Sequence, residues 1–313
     1  MQDMSGQQKV RVRVGERTLA VTNLQKILYP EIGWSKADVI DYYATVGPTM
    51  LPYVQGRPVT FKRYPDGVEG PSFFEKNTAR NAPDWVAHAV LPATRSTKDR
   101  IELDYAILDD LPSIVWAANL AALEFHVPQW RVGAKKQPLA PDLLVFDLDP
   151  GPPATIVECT RVALLVREVL AQDGLIAYAK TSGSKGMQLY VGVRVRDPDR
   201  TSGYARALAE RLAAEHPDLI VSRMAKELRP GKVFIDWSQN NPAKTTVAPY
   251  SLRARPEPTV STPISWDEVE GCGSAGDLRF LASDVLARIE RYGDLFDGLL
   301  TKKSAVPQLL ADQ

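Results

Sequence analysis

The sequence predicts an α+β chain of two lobes, and three observations carry that expectation. Two apolar runs end in carboxylates, Leu143-Leu144-Val145-Phe146-Asp147-Leu148-Asp149-Pro150 and Val233-Phe234-Ile235-Asp236-Trp237, and such runs read as buried strands. Between them the periodicity switches in the order strand, helix, hairpin, helix, strand, close to a split β-α-β unit. Helices of that unit are expected on one side of its sheet, leaving the other face free for substrate. The residues before 141 mix short alternating segments with capped helical ones, which makes a second α/β lobe.

The elements follow in order. Residues through Gln8 show no pattern and are expected to be disordered. Residues 10–20 alternate around a Gly15-Glu16-Arg17 turn, a β-hairpin. Ser35, with Asp38 three positions on, caps a helix whose inner stripe is Val39, Tyr43 and Val46, and Gly47-Pro48 should stop it. A strand over 59–63 puts Lys62 on one face with Thr60. Residues 109–122 read as an Asp-capped, Ala-rich helix that delivers the chain to His126. A helix over 155–172, ended by Gly174, precedes two strands that flank a Gly/Ser/Lys loop. A helix over 201–216 stops at Pro217, and a strand then reaches Asp236. Residues 276–291 form a last helix with Leu278, Leu281, Val285 and Ile289 inward. The expected organisation is one domain over 1–300, with lobes at about 9–140 and about 141–270, and a flexible tail over 301–313.

Composition is ordinary for a globular chain, at 44% hydrophobic and 24% charged. No run is long enough for a membrane helix, and Met1-Gln2-Asp3-Met4-Ser5 is no signal peptide, so a cytoplasmic place is expected. The two cysteines, Cys159 and Cys272, form no Cys-x-x-Cys pair, so neither zinc nor a disulfide framework is indicated. The 38 basic and 38 acidic residues cancel, which argues against broad coating of nucleic acid. Locally the balance tips: residues 1–63 carry nine Lys/Arg against five Asp/Glu, and residues 180–255 carry fourteen against seven. That excess leaves local cationic tracks to which a polyanion could bind.

Strand geometry puts Asp147 and Asp149 on one face with Leu148 opposite. Two like charges this close repel unless a cation lies between them, and hard carboxylate oxygens suit Mg²⁺ or Mn²⁺. Asp236 is the third candidate ligand. The loop Thr181-Ser182-Gly183-Ser184-Lys185-Gly186 offers backbone N–H groups, two hydroxyls and a cation to an anion, although it lacks Walker A spacing. Blander readings stand beside these. Strand-end aspartates also cap turns, and a Gly/Ser/Lys turn is commonly a solvated hairpin. A haloacid-dehalogenase phosphatase also ends a strand in Asp-x-Asp, but expects Thr or Val where this chain has Gly151, usually near the chain start.

Taken in order, Asp147-Leu148-Asp149-Pro150, Ser182-Gly183-Ser184-Lys185-Gly186 and Phe234-Ile235-Asp236-Trp237-Ser238-Gln239-Asn240 resemble the archaeo-eukaryotic primase superfamily, and more narrowly the polymerase domain of bacterial ligase D. Segments 22–30, 61–67, 73–76, 116–120, 124–126 and 244–253 extend the resemblance over about residues 21–266. It implies a primase-polymerase fold, with an RRM-like catalytic sheet joined to an N-terminal α/β lobe and the active site between them. It implies that Asp147, Asp149 and Asp236 hold two divalent ions, Mn²⁺ or Mg²⁺. Lys62, His126, Ser182, Lys185, Arg229 and Arg253 would contact the nucleotide triphosphate, and Gln239 would lie near the nucleotide. Asn23, Lys26 and Lys36 would grip a DNA 5′-phosphate downstream of a gap or break. Phe73 and Phe74 would stack on template bases, although adjacent strand residues point opposite ways, so one of them should be core. Many relatives carry His where this chain has Gln188, which cannot become cationic. A higher nucleotide requirement is the expected consequence.

The function expected is a template-dependent polymerase that fills short gaps or processes broken DNA ends in repair. It would add ribonucleotides as well as deoxyribonucleotides, with DNA ligase and Ku supplied in trans at the nucleoid. A de novo primase and a non-catalytic DNA-end adaptor are the alternatives. Zinc ligands common in primases are missing from the sequence, and the three aspartates speak against the adaptor.

Overall fold

The computed structural model describes residues 9–92 and 101–307. The chain opens on the expected hairpin, β1 (Lys9–Val14) against β2 (Arg17–Thr22), with Gly15 at positive φ in the turn. Short strands β3 (Ile27–Tyr29) and β4 (Trp34–Ser35) lead into α1 (Lys36–Val54). Ser35 caps α1 reciprocally with Asp38, as the spacing predicts.

Gly47-Pro48 does not end α1, contrary to expectation: the helix continues to Val54 with Pro48 and Pro52 inside it. Each proline forfeits an i→i−4 bond and costs about 3 kcal/mol. Val46, Met50, Tyr53 and Val54 are buried along the same stretch, and side chains of this kind return about 1.5–3 kcal/mol each. Tertiary packing therefore overrides the local stop. Gly47 serves contact rather than termination, because a Cβ there would collide with the Leu111 side chain.

Strand β5 (Thr60–Arg63) follows, then β6 (Phe73–Glu75), and β7 (His88–Pro92) paired with β8 (Glu102–Ala106). Helix α2 (Leu111–Asn119), capped by Asp110 with Ser113, hands over to β9 (Ala122–Val127). Phe61 and Phe125 face the buried side of this lobe's sheet, where Tyr43 stacks on Phe125 at 4.6 Å between ring centres.

The second lobe runs β10 (Leu143–Pro150), α3 (Ile156–Gln172), β11 (Ala177–Thr181), β12 (Met187–Arg194), α4 (Arg200–Glu215), β13 (Ile220–Val221) and β14 (Val233–Asp236). Then come β15 (Thr246–Val247), β16 (Pro263–Ile264), α5 (Trp266–Glu270), α6 (Ala282–Tyr292) and β17 (Ser304–Ala305). The strands lie in the order β13-β14-β10-β12-β11-β16, and β17 pairs parallel with β12. In the first lobe the order is β15-β9-β5-β6, so β15 returns from the second lobe to complete that sheet.

Alternation along β10 divides its side chains. Leu144, Phe146 and Leu148 pack in the core with α3 and α4, whereas Leu143 and Val145 join the first lobe's core, as does Tyr190 of β12. The sheet's second face is thus covered by the other lobe at one end and open only toward Asp147 and Asp149, a narrower opening than the whole free face expected.

The last helix begins at Ala282, six residues later than the pattern suggests, and α5 escaped the sequence reading. Residues from 301 onward are not frayed through 307, since β17 is paired and Lys303 bridges to Asp142 at 3.2 Å. The rest of the tail, residues 308–313, and the start through Gln8 lie outside the described residues. Among the described residues, no helix is long and apolar enough to cross a membrane.

Candidate active site

Register brings the carboxylates together. On β10, Asp147 pairs with Asp236 of β14 on one side and with Gln188 of β12 on the other, and Asp149 stands opposite Phe234. Gln188 donates to Asp147 Oδ1 at 3.0 Å, and Tyr190, Thr246 and Gln129 continue the hydrogen-bond chain behind it. Burial, then the neighbouring Asp149 charge and Asp236, push the Asp147 carboxyl up to about 7, against the Gln188 bond and Lys180. Asp149, nearer solvent, is raised by partial desolvation and by Asp236, with Arg229 and Arg253 opposing.

Asp236 is held differently. Its Oδ1 accepts from the Ser238 N–H at 3.1 Å and from the Ser238 hydroxyl, and its Oδ2 accepts from Gln239 Nε2 at 2.9 Å. Lys244 lies 3.5 Å from the same oxygen. Among the described residues, no three His, Cys, Asp or Glu side chains converge as a ready metal site. The donor chemistry nevertheless suits a hard cation: proton affinity is raised because negative charge is crowded there. Asp147 and Asp149 fit a divalent ion directly. Asp236 would join them by releasing Gln239 or Lys244.

The Gly/Ser/Lys loop is pinned, not a free hairpin. Ser182 Oγ accepts from the N–H groups of Ser184 (3.2 Å) and Gly186 (3.3 Å). Arg253 donates to the Ser182 carbonyl at 2.7 Å, Thr259 donates to the Gly183 carbonyl at 2.6 Å, and Arg255 reaches the Ser184 hydroxyl. Gly183 has φ +67°, and a Cβ at Gly186 would collide with the Leu148 carbonyl oxygen, so this glycine lets the loop lie against β10. Lys185 stays exposed at the tip.

A cavity of about 300 Å³ is lined by Asp147, Asp149, His126, Ser182, Lys185, Gln188, Gln239 and Arg253, among others. Eight expected residues or neighbours thus meet in one cleft. Arg229 does not line it: it lies over the Phe234 ring at 3.9 Å and bonds the Met224 carbonyl, acting on Asp149 from the side. Lys62 stands outside too, 5.6 Å from the Phe74 ring centre and near enough to His126 to depress its basicity.

Glu124 was not singled out for a role from sequence. Buried at 3% exposure, it accepts from His126 Nε2 at 2.9 Å and the Ala254 N–H at 3.1 Å, with Arg253 Nε at 3.3 Å. Burial alone would raise its carboxyl, but His126, Arg253 and the backbone bond outweigh it and bring it to about 2. Glu124 therefore fixes both His126 and Arg253. Its signal was an acid two residues from His126 in an otherwise apolar strand, which places both on one face.

A second group lies at the start of α1. Backbone bonds from Lys36 to Lys26 (2.7 Å) and from Ala37 to Leu24 bring the loop of Asn23, at φ +57°, against the helix. Lys36 donates to the Thr22 carbonyl at 2.7 Å, and burial, then Arg63 and Lys26, lower its ammonium to about 8. Lys26 pairs with Asp66 at 2.6 Å. Arg63 joins this cationic group unforeseen, its guanidinium over the Phe73 ring at 5.3 Å. Phe73 and Phe74 are both exposed, at 46% and 60%, because at the three-residue β6 neither face is covered by core, Phe73 meeting the Arg63 guanidinium and Phe74 the Lys62 ammonium; the expectation that one is core is corrected.

The family model described as the LigD primase-polymerase domain matches residues 35–296. The chain is 44% identical over 293 residues to the multifunctional non-homologous end joining DNA repair protein LigD of Mycobacterium tuberculosis, covering 91% of this chain and 37% of that protein. To the bifunctional non-homologous end joining protein LigD of Bacillus subtilis it is 31% identical over 277 residues, 88% of this chain and 43% of that one. It therefore spans less than half the length of these curated relatives. The solved polymerase domain from Mycobacterium tuberculosis ligase D in complex with DNA matches with a TM-score of 0.84 and 43% identity, covering 90% of this chain and 97% of that one. Sequence, two-lobed fold and solved relative agree: this chain belongs to the LigD primase-polymerase domain family.

Proposed function

We propose that this chain is a template-dependent nucleotidyltransferase that extends a primer across short gaps or at broken DNA ends bearing a downstream 5′-phosphate. The observation that carries this reading is the pairing of Asp147 with Asp236 in register, with Asp149 beside them, across a cleft from a pinned cationic loop. Divalent ions, Mn²⁺ or Mg²⁺, held by Asp147, Asp149 and Asp236 would activate the primer hydroxyl and neutralise the leaving pyrophosphate. Ser182, Lys185 and Arg253 would orient the triphosphate, and Glu124 would keep Arg253 and His126 aimed at it. Gln239 would release Asp236 and turn to the nucleotide. Asn23, Lys26, Lys36 and Arg63 would hold the 5′-phosphate, Lys26 exchanging Asp66 for it. Phe73 and Phe74 would offer exposed rings to template bases. Both sugars would be accepted, and sealing would fall to a ligase, with an end-binding protein such as Ku holding the break at the nucleoid.

Primer extension on gapped DNA, with and without the downstream phosphate, tests the reading. Metal-dependent templated addition of rNTPs and dNTPs, weakened when the phosphate is missing, is expected. Binding of the DNA with no addition under Mn²⁺ or Mg²⁺ would overturn it.

A further inference from the structure

The hairpin that opens the chain has two faces of opposite character. Val10, Val12 and Val14 of β1 turn inward with Leu19 and Val21 of β2, and Val12 and Val14 pack on the first lobe's core. Strand alternation puts Lys9, Arg11 and Arg13 on the other face, and all three are exposed. Their cross-strand neighbours are Thr22, Ala20 and Thr18, so no acid answers them across the ribbon. Among the described residues none of the three forms an ion pair, and Arg13 bonds only the Gly15 carbonyl of its own turn, at 3.2 Å. Exposed arginines elsewhere are matched, as Arg206 is by Glu210 and Arg211 by Glu215. The stripe is also held in place. Asn119 of α2 accepts from the Thr22 N–H at 3.1 Å and donates to the Ala20 carbonyl at 3.3 Å, and Arg17 pairs with Asp110 at 3.1 Å. Its near end adjoins the cationic group at the start of α1. Lys9 stands opposite Thr22, whose carbonyl takes the Lys36 ammonium at 2.7 Å, and β2 runs straight on into Asn23. Arg11 and Arg13 lead away from that group along β1.

Three like charges held in a row repel one another, and a row of phosphates turns that repulsion into attraction. The spacing suits such a row. Alternate residues of a strand lie about 6.8 Å apart, so the stripe is about 14 Å long, the length of about four base-pair steps. A lone anion would engage one of the cations, whereas a regularly charged polymer meets all three. We propose that the outward face of β1 is a track for the DNA duplex beyond the 5′-phosphate. Lys36 and its neighbours hold the terminal phosphate, and Lys9, Arg11 and Arg13 run along phosphates of the base pairs that follow. This inference rests on the proposed function and deepens it, extending the contact from one phosphate to a stretch of duplex.

The test is fluorescence anisotropy of the full chain on gapped DNA over a range of salt, comparing wild type with the combined variant Lys9→Gln, Arg11→Gln and Arg13→Gln. In further DNAs, uncharged methylphosphonates replace the phosphates of the first few downstream base pairs, either in the 5′-phosphorylated strand or in the template strand. The variant should bind about tenfold weaker at about 0.1 M salt and lose about 2–3 from the log–log salt slope, roughly one for each phosphate contact. It should keep its preference for a 5′-phosphate and its melting temperature, since the three side chains are exposed. Methylphosphonates in one of the two strands should weaken wild type by a similar factor and leave the variant unchanged, which names the strand lying on β1. An unaltered slope in the variant, or equal methylphosphonate losses in both proteins, would overturn the track. So would unaltered affinity with increased light scattering, which marks the charges as guards of an exposed strand edge. Primer extension by wild type is run on the unmodified DNA: its absence would sink the polymerase reading itself, whereas extension with an unaltered slope in the variant sinks only the track.

Discussion

At the scale of single residues, Asp147 has the most to lose and to gain. Its carboxyl is pushed up to about 7, so the folded chain holds a proton there that the unfolded chain releases near 4. Folding is therefore weakened as pH rises from about 4 to 7, and the loss is complete above the folded value. Asp147→Asn removes that penalty. In chelator, its melting temperature should equal wild type near pH 4 and exceed it by about 2–5 °C at pH 8, while extension falls at least 100-fold. A difference that shrinks with rising pH would contradict the assignment. Gln188 donates to the same carboxylate and accepts from Tyr190, so it serves as a neutral prop. Gln188→His should lower the apparent KM for nucleotide several-fold in steady-state assays, and an unchanged KM would count against the expected weakness. The aspartates were legible in the sequence because strand periodicity is local. Glu124 and Arg63 were not, because what gives each its meaning lies across strands: Arg253 for the one and the Lys26–Lys36 pair for the other.

At the scale of elements, caps were read where a short-range partner precedes a long periodic helix, as at Ser35 and at the Asp-capped α2, whereas the Ser265–Glu268 box of the five-residue α5 was passed over because no helical period follows it. The end of α1 was misread because its deciding partner is α2. Gly47 touches Leu111 there, and the buried residues beyond it hold the two prolines in helical form. Gly47→Ala should raise intrinsic helix propensity by about 1 kcal/mol, and because the clash is with the rotatable tip of Leu111, the net change in stability should stay within about 1 kcal/mol. Denaturant melts would show this, and a loss of several kcal/mol would mean that α2 itself has to move. The loop between β11 and β12 follows the same logic in reverse. Its glycine content suggests mobility, but Ser182, Arg253 and Thr259 tie it down, so its order is a property of the fold and not of the segment.

At the scale of the whole molecule, zero net charge does not mean an even distribution, although Lys26, Arg63 and Arg253 are each paired with a carboxylate. Lys26, Lys36 and Arg63 gather at one end, with Lys185, Arg253 and Arg255 at the loop. Binding to gapped DNA should accordingly weaken steeply with salt despite the neutral balance. Lys26→Ala together with Lys36→Ala should reduce the log–log salt slope by about 1–2 and abolish the preference for a 5′-phosphate. An unaltered slope in titrations would place the DNA elsewhere. The path of the chain sets a mechanical limit as well. After building most of the second sheet, it crosses back to lay β15 on β9, then returns to lay β16 on β11. The lobes are stitched by these crossings and by Leu143, Val145 and Tyr190, which the second sheet contributes to the first lobe's core, so parting them like jaws is resisted. On the proposed function, substrates would then enter along the open edge of a cleft already formed, and selectivity would come from what that edge admits.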